Sequence, residues 1–303
     1  MNVRNQARTA SGAPRVKTRR LSGGKSRNYG VGGTIGIGIF IGILAAFCII
    51  PLLMSVGMAF KPIPELFYYP PKILPRHPTL ANFSMLFQLM KSSWVPFSRY
   101  IFNTVFLTLA ATFGHVLLAS MAAFPLAKCL FPGKRFCNTL VLYALMFIPA
   151  VNDIANYLTI SWLGWLDTYL AVIVPFLGST LGLFLIRNYM ATIPDSLLEA
   201  AKIDGCTEFQ MYRIIAMPLS RPAWLTVIIL MFQQMWNASP TTYIYREELK
   251  TLPYALGQIV SGGLVRVGAG QAAAVLMLAV PAFVFIMNQT KIIETMTTSG
   301  LKE

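Results

Sequence analysis

Six stretches without a charged side chain run through the chain: 28–60, 100–127, 136–152, 168–186, 222–245 and 267–290. Within them the apolar residues are continuous rather than alternating, which is the pattern of helices in hydrocarbon and not of barrel strands. A hydrocarbon core about 30 Å thick takes roughly 20 residues of helix, and five of the six runs are near or above that length. The third has 17 residues before Asp153, followed by a further uncharged stretch from Ile154 to Leu166. Pro149 lies inside it and Asn152 and Asp153 follow, so a kink or break is predicted there. The pattern as a whole predicts an all-α, polytopic membrane protein with six transmembrane helices. The first is expected near 33–60, the second near 100–126, the fourth near 168–185, the fifth near 222–243 and the sixth near 268–292.

The polar connections are uneven. Residues 61–98 form the longest, and five prolines (Pro64, Pro70, Pro71, Pro75 and Pro78) exclude a long helix from its middle. Phe131-Pro132-Gly133-Lys134-Arg135 reads as a turn. Between the fourth and fifth runs lies a polar island, too short and too charged to cross a bilayer. Pro194 suits a first helical turn, because its missing N–H would be unsatisfied there anyway. Asp195 and Glu199 put negative charge near that N-terminus, and Gly205 is a natural left-handed stop. A helix of about 11 residues, about 16 Å long, is predicted. Ala200 and Ala201 keep its flank thin enough for another surface to approach. A second short helix, Thr207 to Ala216, is expected to present Phe209, Tyr212 and Arg213 before Pro218 ends it.

Composition agrees with a membrane setting. Of 303 residues 55% are hydrophobic and 12% charged, with a mean hydropathy of +0.60; a soluble domain carries about twice that charge. The net charge of +14 raises the question of nucleic acid, but its distribution points elsewhere. Residues 1–30 hold eight cations and no acid, and are expected to form a basic, disordered cytoplasmic tail. With six spans and an internal N-terminus, 17 of the 25 Lys and Arg fall on the cytoplasmic side and 8 outside. That excess favours both termini in the cytoplasm, with anionic membrane lipid rather than nucleic acid as the tail's partner. Four cysteines, Cys48, Cys129, Cys137 and Cys206, are all placed in the membrane or inside, so disulfides are not expected. No zinc-ligand spacing accompanies them. The first apolar run starts too late and is too long for a cleavable signal.

Leu21-Ser22-Gly23-Gly24-Lys25-Ser26 imitates nucleotide-binding signatures, but Arg19 stands where a P-loop needs glycine. The chain itself is not expected to hydrolyse ATP. His115 lies mid-span, where a titratable residue is a functional candidate, although a neutral histidine bonded between helices fits equally. Gln233, Gln234, Trp236 and Asn237 could bond sugar hydroxyls or stack on a sugar's apolar face. Hydrogen bonding between helices is as good an account of them. Asn103 and Asn152 are weaker candidates for the same pathway, and Asp153 with them. No metal site, nucleophile elbow or carboxylate pair occurs within the spans.

Glu199-Ala200-Ala201, three residues, Gly205, nine residues, then Ile215-Ala216-Met217-Pro218 closely resembles the coupling motif of ABC importer permeases, with Met217 for the more usual Leu. Residues 122–135, Phe147-Ile148-Pro149, Trp236-Asn237, 249–253 and Ser299-Gly300-Leu301-Lys302 agree. Together these look like the carbohydrate-importer group, in particular the six-helix permease related to the maltose system, over residues 33–303. Pro125 departs from it, standing where a residue compatible with an unbroken helix is usual. The resemblance implies a type I importer permease fold over 31–303, with coupling helices at about 193–217. Glu199, Ala200, Ala201, Asp204, Gly205, Phe209, Tyr212, Arg213 and Pro218 would be its ATPase-coupling residues. It implies a homologous second permease, two ATPase subunits carrying ATP and Mg, an extracytoplasmic solute-binding protein, and no cofactor on this chain. Such a complex imports a carbohydrate, an oligosaccharide by this likeness, through the bacterial plasma membrane. A secondary transporter driven by an ion gradient would also have six spans but would lack the motif.

Overall fold

The protein was analysed as a computed structural model, which describes residues 31–70, 72–91, 94–146, 149–263 and 266–300. The expected tail over 1–30, with its Leu21–Ser26 string, lies outside the described residues, as do the side chains of 299–302. Regular structure among the described residues is helical: α1 Val31–Ala59, α2 Ile63–Leu66, α3 Ala81–Lys91, α4 Phe97–Lys128, α5 Lys134–Met146, α6 Pro149–Trp162, α7 Leu170–Leu177 and α8 Thr180–Ala191. Then come α9 Asp195–Ile203, α10 Glu208–Gln210, a π-helical turn Met211–Ala216, α11 Met217–Leu219, α12 Arg221–Trp236, a 3-10 turn Glu247–Leu249, α13 Leu252–Val260 and α14 Val267–Gly300.

The chain divides into two units, Met1–Ile50 and Pro51–Glu303. In the first, the described residues belong to α1, and Ile35, Ile39, Phe40, Ile43 and Phe47 are all exposed. A run of that kind is tolerated in hydrocarbon and not in water.

In the second unit α4 is the organising helix. Its buried stripe carries Asn103, Thr104, Thr108, Thr112, His115 and Ser120, while Phe102, Phe113, Leu117 and Leu118 lie exposed on the other side. The polar side chains between Tyr100 and Leu126 all lie on the buried stripe, among Leu107, Val116 and Phe124, while the outward face is apolar, which marks a helix whose solvent is lipid. One core cluster joins α4 (Val116, Ala119, Ala123, Phe124) to α8 (Ile186, Met190), α12 (Val227, Met231) and the polar island. Another joins α3 (Leu86, Met90) to α13 (Leu252, Leu256) and to Ala269, Ala272 and Ala273 of α14. Small residues let α14 approach closely.

Among the described residues, four helical segments are long and apolar enough to cross a bilayer: 35–59, 97–128, 170–191 and 267–287. A fifth is added if Glu208–Leu219 and Arg221–Trp236, bent by 75°, are one span. The expected third span is carried by α5 and α6, of 13 and 14 residues, each shorter than the roughly 20 that cross alone. Pro149 is the first residue of α6. The fourth span differs from expectation: it breaks at Gly178–Ser179, after Pro175, and then runs on to Ala191. The fifth ends at Trp236 rather than Tyr243, because Asn237 caps it and Pro240 follows. Pro125 leaves α4 continuous to Lys128, although its missing N–H leaves the Met121 carbonyl without that ladder bond. Two short helices, α3 and α13, were not anticipated in the connections.

Candidate functional site

The polar island folds as two short helical pieces around a corner. α9 starts after Pro194, which occupies the cap position rather than the first turn, and its nine residues make it about 13 Å long. The chain turns at Gly205, whose φ of +82° is left-handed backbone that a side chain disfavours. Thr207 then opens the second piece with a capping box: its hydroxyl accepts from the Gln210 N–H, and the Gln210 side chain accepts from the Thr207 N–H. Beyond this the expected α-helix is not what forms. Met211–Ala216 is a π-turn, so the side chains are rotated relative to an ordinary helix. Pro218 does not terminate the piece; it opens α11, and the break falls at Ser220. There the Trp224 indole N–H bonds the Met217 carbonyl at 3.2 Å across the bend.

The expected coupling residues divide into two groups. Glu199, Ala200, Asp204, Gly205, Phe209, Arg213 and Pro218 are exposed. Ala201 and Tyr212, expected to face a partner, instead point into the first core cluster at 8% and 7% exposure. Ala201 is thin so that α9 can lie on its own spans. Tyr212 faces inward from the π-turn, and its hydroxyl bonds Ser120 Oγ of α4 at 2.8 Å. Its ring centroid lies 5.9 Å from those of both Phe124 and Phe209. The outer face gains two apolar residues that the motif did not single out, Ile203 at 88% and Ile214 at 64% exposure, beside the expected Phe209 at 59%. Exposed Ile in so polar a segment was the available signal for the first two.

Lys128, at the end of α4, holds the start of the island. Its ammonium donates to the carbonyls of Ala191 (3.1 Å) and Ile193 (2.5 Å) and to Asp195 Oδ1 (2.7 Å). The first two are carbonyls at the end of α8, where a cation is favoured. The Lys128 hydrogen bond and charge hold the Asp195 carboxyl below the usual carboxylate range. Lys134 bonds the Ala127 and Cys129 carbonyls in the same way. Cys129 donates its S–H to Glu208 Oε2 at 2.7 Å, tying the end of α4 to the second piece. Burial first, and the Glu208 carboxylate second, push this thiol up to about 11. The island is therefore a stiff surface rooted in the spans, with its polar and apolar outer residues left free to meet something else.

The residues expected along a solute pathway are not brought together. Asn103 is fully buried: its amide donates to the Glu248 (2.8 Å) and Lys250 (2.9 Å) carbonyls, and its oxygen accepts from the Tyr169 hydroxyl. It fastens the loop before α13 rather than facing a cavity. Trp236 is also inside, with its N–H on the Met277 carbonyl at 3.1 Å. Asn237 is exposed and bonds the Gln233 carbonyl of its own helix. Gln233, Gln234 and Asn152 expose their amides. Gln233 lies in a cleft of about 220 Å³ between α12 and α14, with Ile229, Phe232, Leu278 and Phe285. Among the described residues no three His, Cys, Asp or Glu side chains gather as a metal site would require.

Known proteins are similar to this chain in sequence and in fold. LplC of Bacillus subtilis is 32% identical over 66% of the chain and 65% of its own length. The arabinooligosaccharides transport system permease protein AraQ of Halalkalibacterium halodurans is 29% identical over 89% of the chain and 95% of its own. The galactooligosaccharides transport system permease protein GanQ of B. subtilis is 27% identical over 87% and 94%. Among solved structures, a chain of a bacterial ABC transporter involved in the import of the acidic polysaccharide alginate superposes with a TM-score of 0.73. It is 21% identical, covering 86% of this chain and 98% of that one. Residues 38–295 match the model of one family throughout. The chain belongs to the family of inner membrane components of binding-protein-dependent transport systems.

Proposed function

We propose that this chain is one of two permease subunits in an ABC importer that moves an oligosaccharide across the bacterial plasma membrane by ATP-driven alternating access. The observation that carries the reading is the island: Glu199, Ala200, Asp204, Phe209 and Arg213 face outward while Ala201 and Tyr212 anchor the same segment in the core. A surface that must pass on force needs both properties. Its partner is a separate ATPase subunit, which binds ATP and Mg; this chain binds neither. Two such ATPases, a second permease and an extracytoplasmic solute-binding protein complete the assembly. A solved structure that superposes with a TM-score of 0.57 is of an alginate ABC transporter in complex with a pentasaccharide-bound periplasmic protein. The relatives AraQ and GanQ support an oligosaccharide as the solute.

In this reading residues 31–303 are the permease domain. Residues 1–30 are a basic tail on anionic lipid, and the excess of cations places both termini in the cytoplasm. Of the expected pathway residues, Gln233 and Gln234 remain the candidates to bond solute hydroxyls, since both are exposed and Gln233 lines the cleft against α14. Uptake into proteoliposomes tests the proposal. With both permeases, the ATPase and a loaded receptor, internalised arabino- or galactooligosaccharide should require ATP and be unaffected by collapsing ion gradients. Uptake that follows a proton or sodium gradient without the ATPase would establish the secondary-transporter reading instead.

A further inference from the structure

We infer that His115 is a positioning residue for transport: it pins a pivot at the Gly178–Ser179 break, about which α8 and the coupling segment turn. The inference rests on the importer reading above.

The break itself follows from local chemistry. The Gly178 N–H closes back on the Pro175 carbonyl at 3.3 Å, and Ser179 then extends the chain at ψ 120° before α8 opens. The Leu177 carbonyl at the end of α7 would then be an orphan inside the membrane, where an unpaired backbone group is costly. His115 of α4, 1% exposed, takes it with Nδ1 at 3.0 Å. A carbonyl can only accept, so Nδ1 carries the proton and Nε2 is a bare acceptor.

The ring sits in a slot that admits little else. A Cβ on Gly182 of α8 would lie 2.0 Å from His115 Nε2 and 2.9 Å from its Cδ2. One residue earlier on α4, a Cβ on Gly114 would lie 2.7 Å from Leu177 Cδ2. A Gly-His pair on one helix thus interlocks with Leu177 and Gly182 on either side of the break. Among the described residues nothing bonds Nε2, so one hydrogen bond and the shape of the slot hold the ring.

The second grip lies at the other end of α8. Lys128 is thirteen residues further along α4, about 20 Å, and α8 has twelve residues, about 18 Å. One helix therefore holds α8 at both ends, and the lower grip includes Asp195 of the coupling segment. A stiff strut pushed at its lower end cannot shorten; the displacement goes to the joint at its upper end. His115 fixes where that joint is.

The test places spin labels at Leu170→Cys and Ala191→Cys, both exposed sites on either side of the break, in a background without native cysteines. Their separation is measured by pulsed EPR in the assembled complex, without nucleotide and with ATP-vanadate. The unaltered site should give two distances, one per state. His115→Asn, whose amide reaches the Nδ1 position, should keep that shift. His115→Leu and His115→Gln should lose it while still hydrolysing ATP. A wild-type shift in His115→Leu or His115→Gln, or its loss in His115→Asn, overturns the inference. Should His115→Leu fail to assemble, Gly182→Ala carries the test, because it keeps every polar group and only crowds the ring. Its shift should be lost and then restored by adding His115→Asn. An unaltered protein that shows no nucleotide-dependent shift refutes the pivot alone, and it is the loss of ATP-dependent uptake by the same complex that would refute the importer reading.

Discussion

Tyr212→Phe removes one hydroxyl from the root of the coupling segment, and its cost follows from the hydrogen-bond directions. Ser120 Oγ donates to the Leu117 carbonyl at 2.9 Å, so the proton in the 2.8 Å bond between Ser120 and Tyr212 comes from the tyrosine. The phenylalanine variant therefore loses one neutral, buried hydrogen bond, about 0.5–1.5 kcal/mol. Ser120→Ala loses the same bond. The double variant should cost little more than either alone, giving a coupling energy of about 1 kcal/mol. Tyr212→Ala also empties the space between Phe124 and Phe209, and a buried aromatic truncated to alanine costs about 3–5 kcal/mol. Unfolding in mixed detergent micelles gives the stabilities, and the ratio of sugar moved to ATP hydrolysed in proteoliposomes gives the coupling. Tyr212→Phe should keep that ratio near wild type, and Tyr212→Ala should lower it by loosening the segment. Single losses that add within about 0.3–0.5 kcal/mol in the double variant would mean the two hydroxyls are not bonded. A stable, fully coupled Tyr212→Ala would refute the anchoring argument.

Other consequences are as direct. Gly205→Ala meets no atom within 4 Å, so its cost is the left-handed backbone alone, about 1–2 kcal/mol; uptake should fall in the order Gly, Asn, Ala, since Asn tolerates that conformation better. With its thiol held up at about 11, Cys129 should react with iodoacetamide at pH 9 far more slowly than an ordinary thiol, and Glu208→Gln should speed it. Because the Asp195 carboxyl is held low in the folded protein, its contribution is present above the unfolded value of about 3.9 and lost as pH falls through the lower folded one. The difference in unfolding midpoint between wild type and Asp195→Asn should therefore be flat from about pH 5 to 8 and close below about 4.

Four of the six expected spans were legible among the described residues, because continuous apolar runs have one physical explanation, and Pro149, expected to kink or break the third, is the first residue of α6. Gly205 was legible for the same kind of reason: only glycine fits a corner at φ +82° cheaply. What escaped were features set by distant partners. The π-turn around Tyr212 leaves no mark in the local periodicity, and the ring's burial depends on Ser120 and Phe124 of α4, far away in sequence. Lys128 reads as one more cytoplasmic cation until the fold brings Ala191, Ile193 and Asp195 to it. Asn103 looked like a pathway amide, yet both its donors are held by carbonyls nearly 150 positions away in sequence. The helices α3 and α13 are short and half-polar, so that only their packing on α14 reveals them.

The central claim is that the surface around Ile203 and Phe209 is gripped by a separate ATPase subunit. Photo-crosslinking tests it directly, with benzoylphenylalanine at Ile203, at Phe209 and, as a control, at Leu118 on the apolar face of α4. The first two sites should join this chain to the ATPase, with a yield that changes when ATP is bound, and Leu118 should not. Crosslinks from Ile203 and Phe209 to lipid or to an extracytoplasmic receptor, with none to the ATPase, would contradict the account.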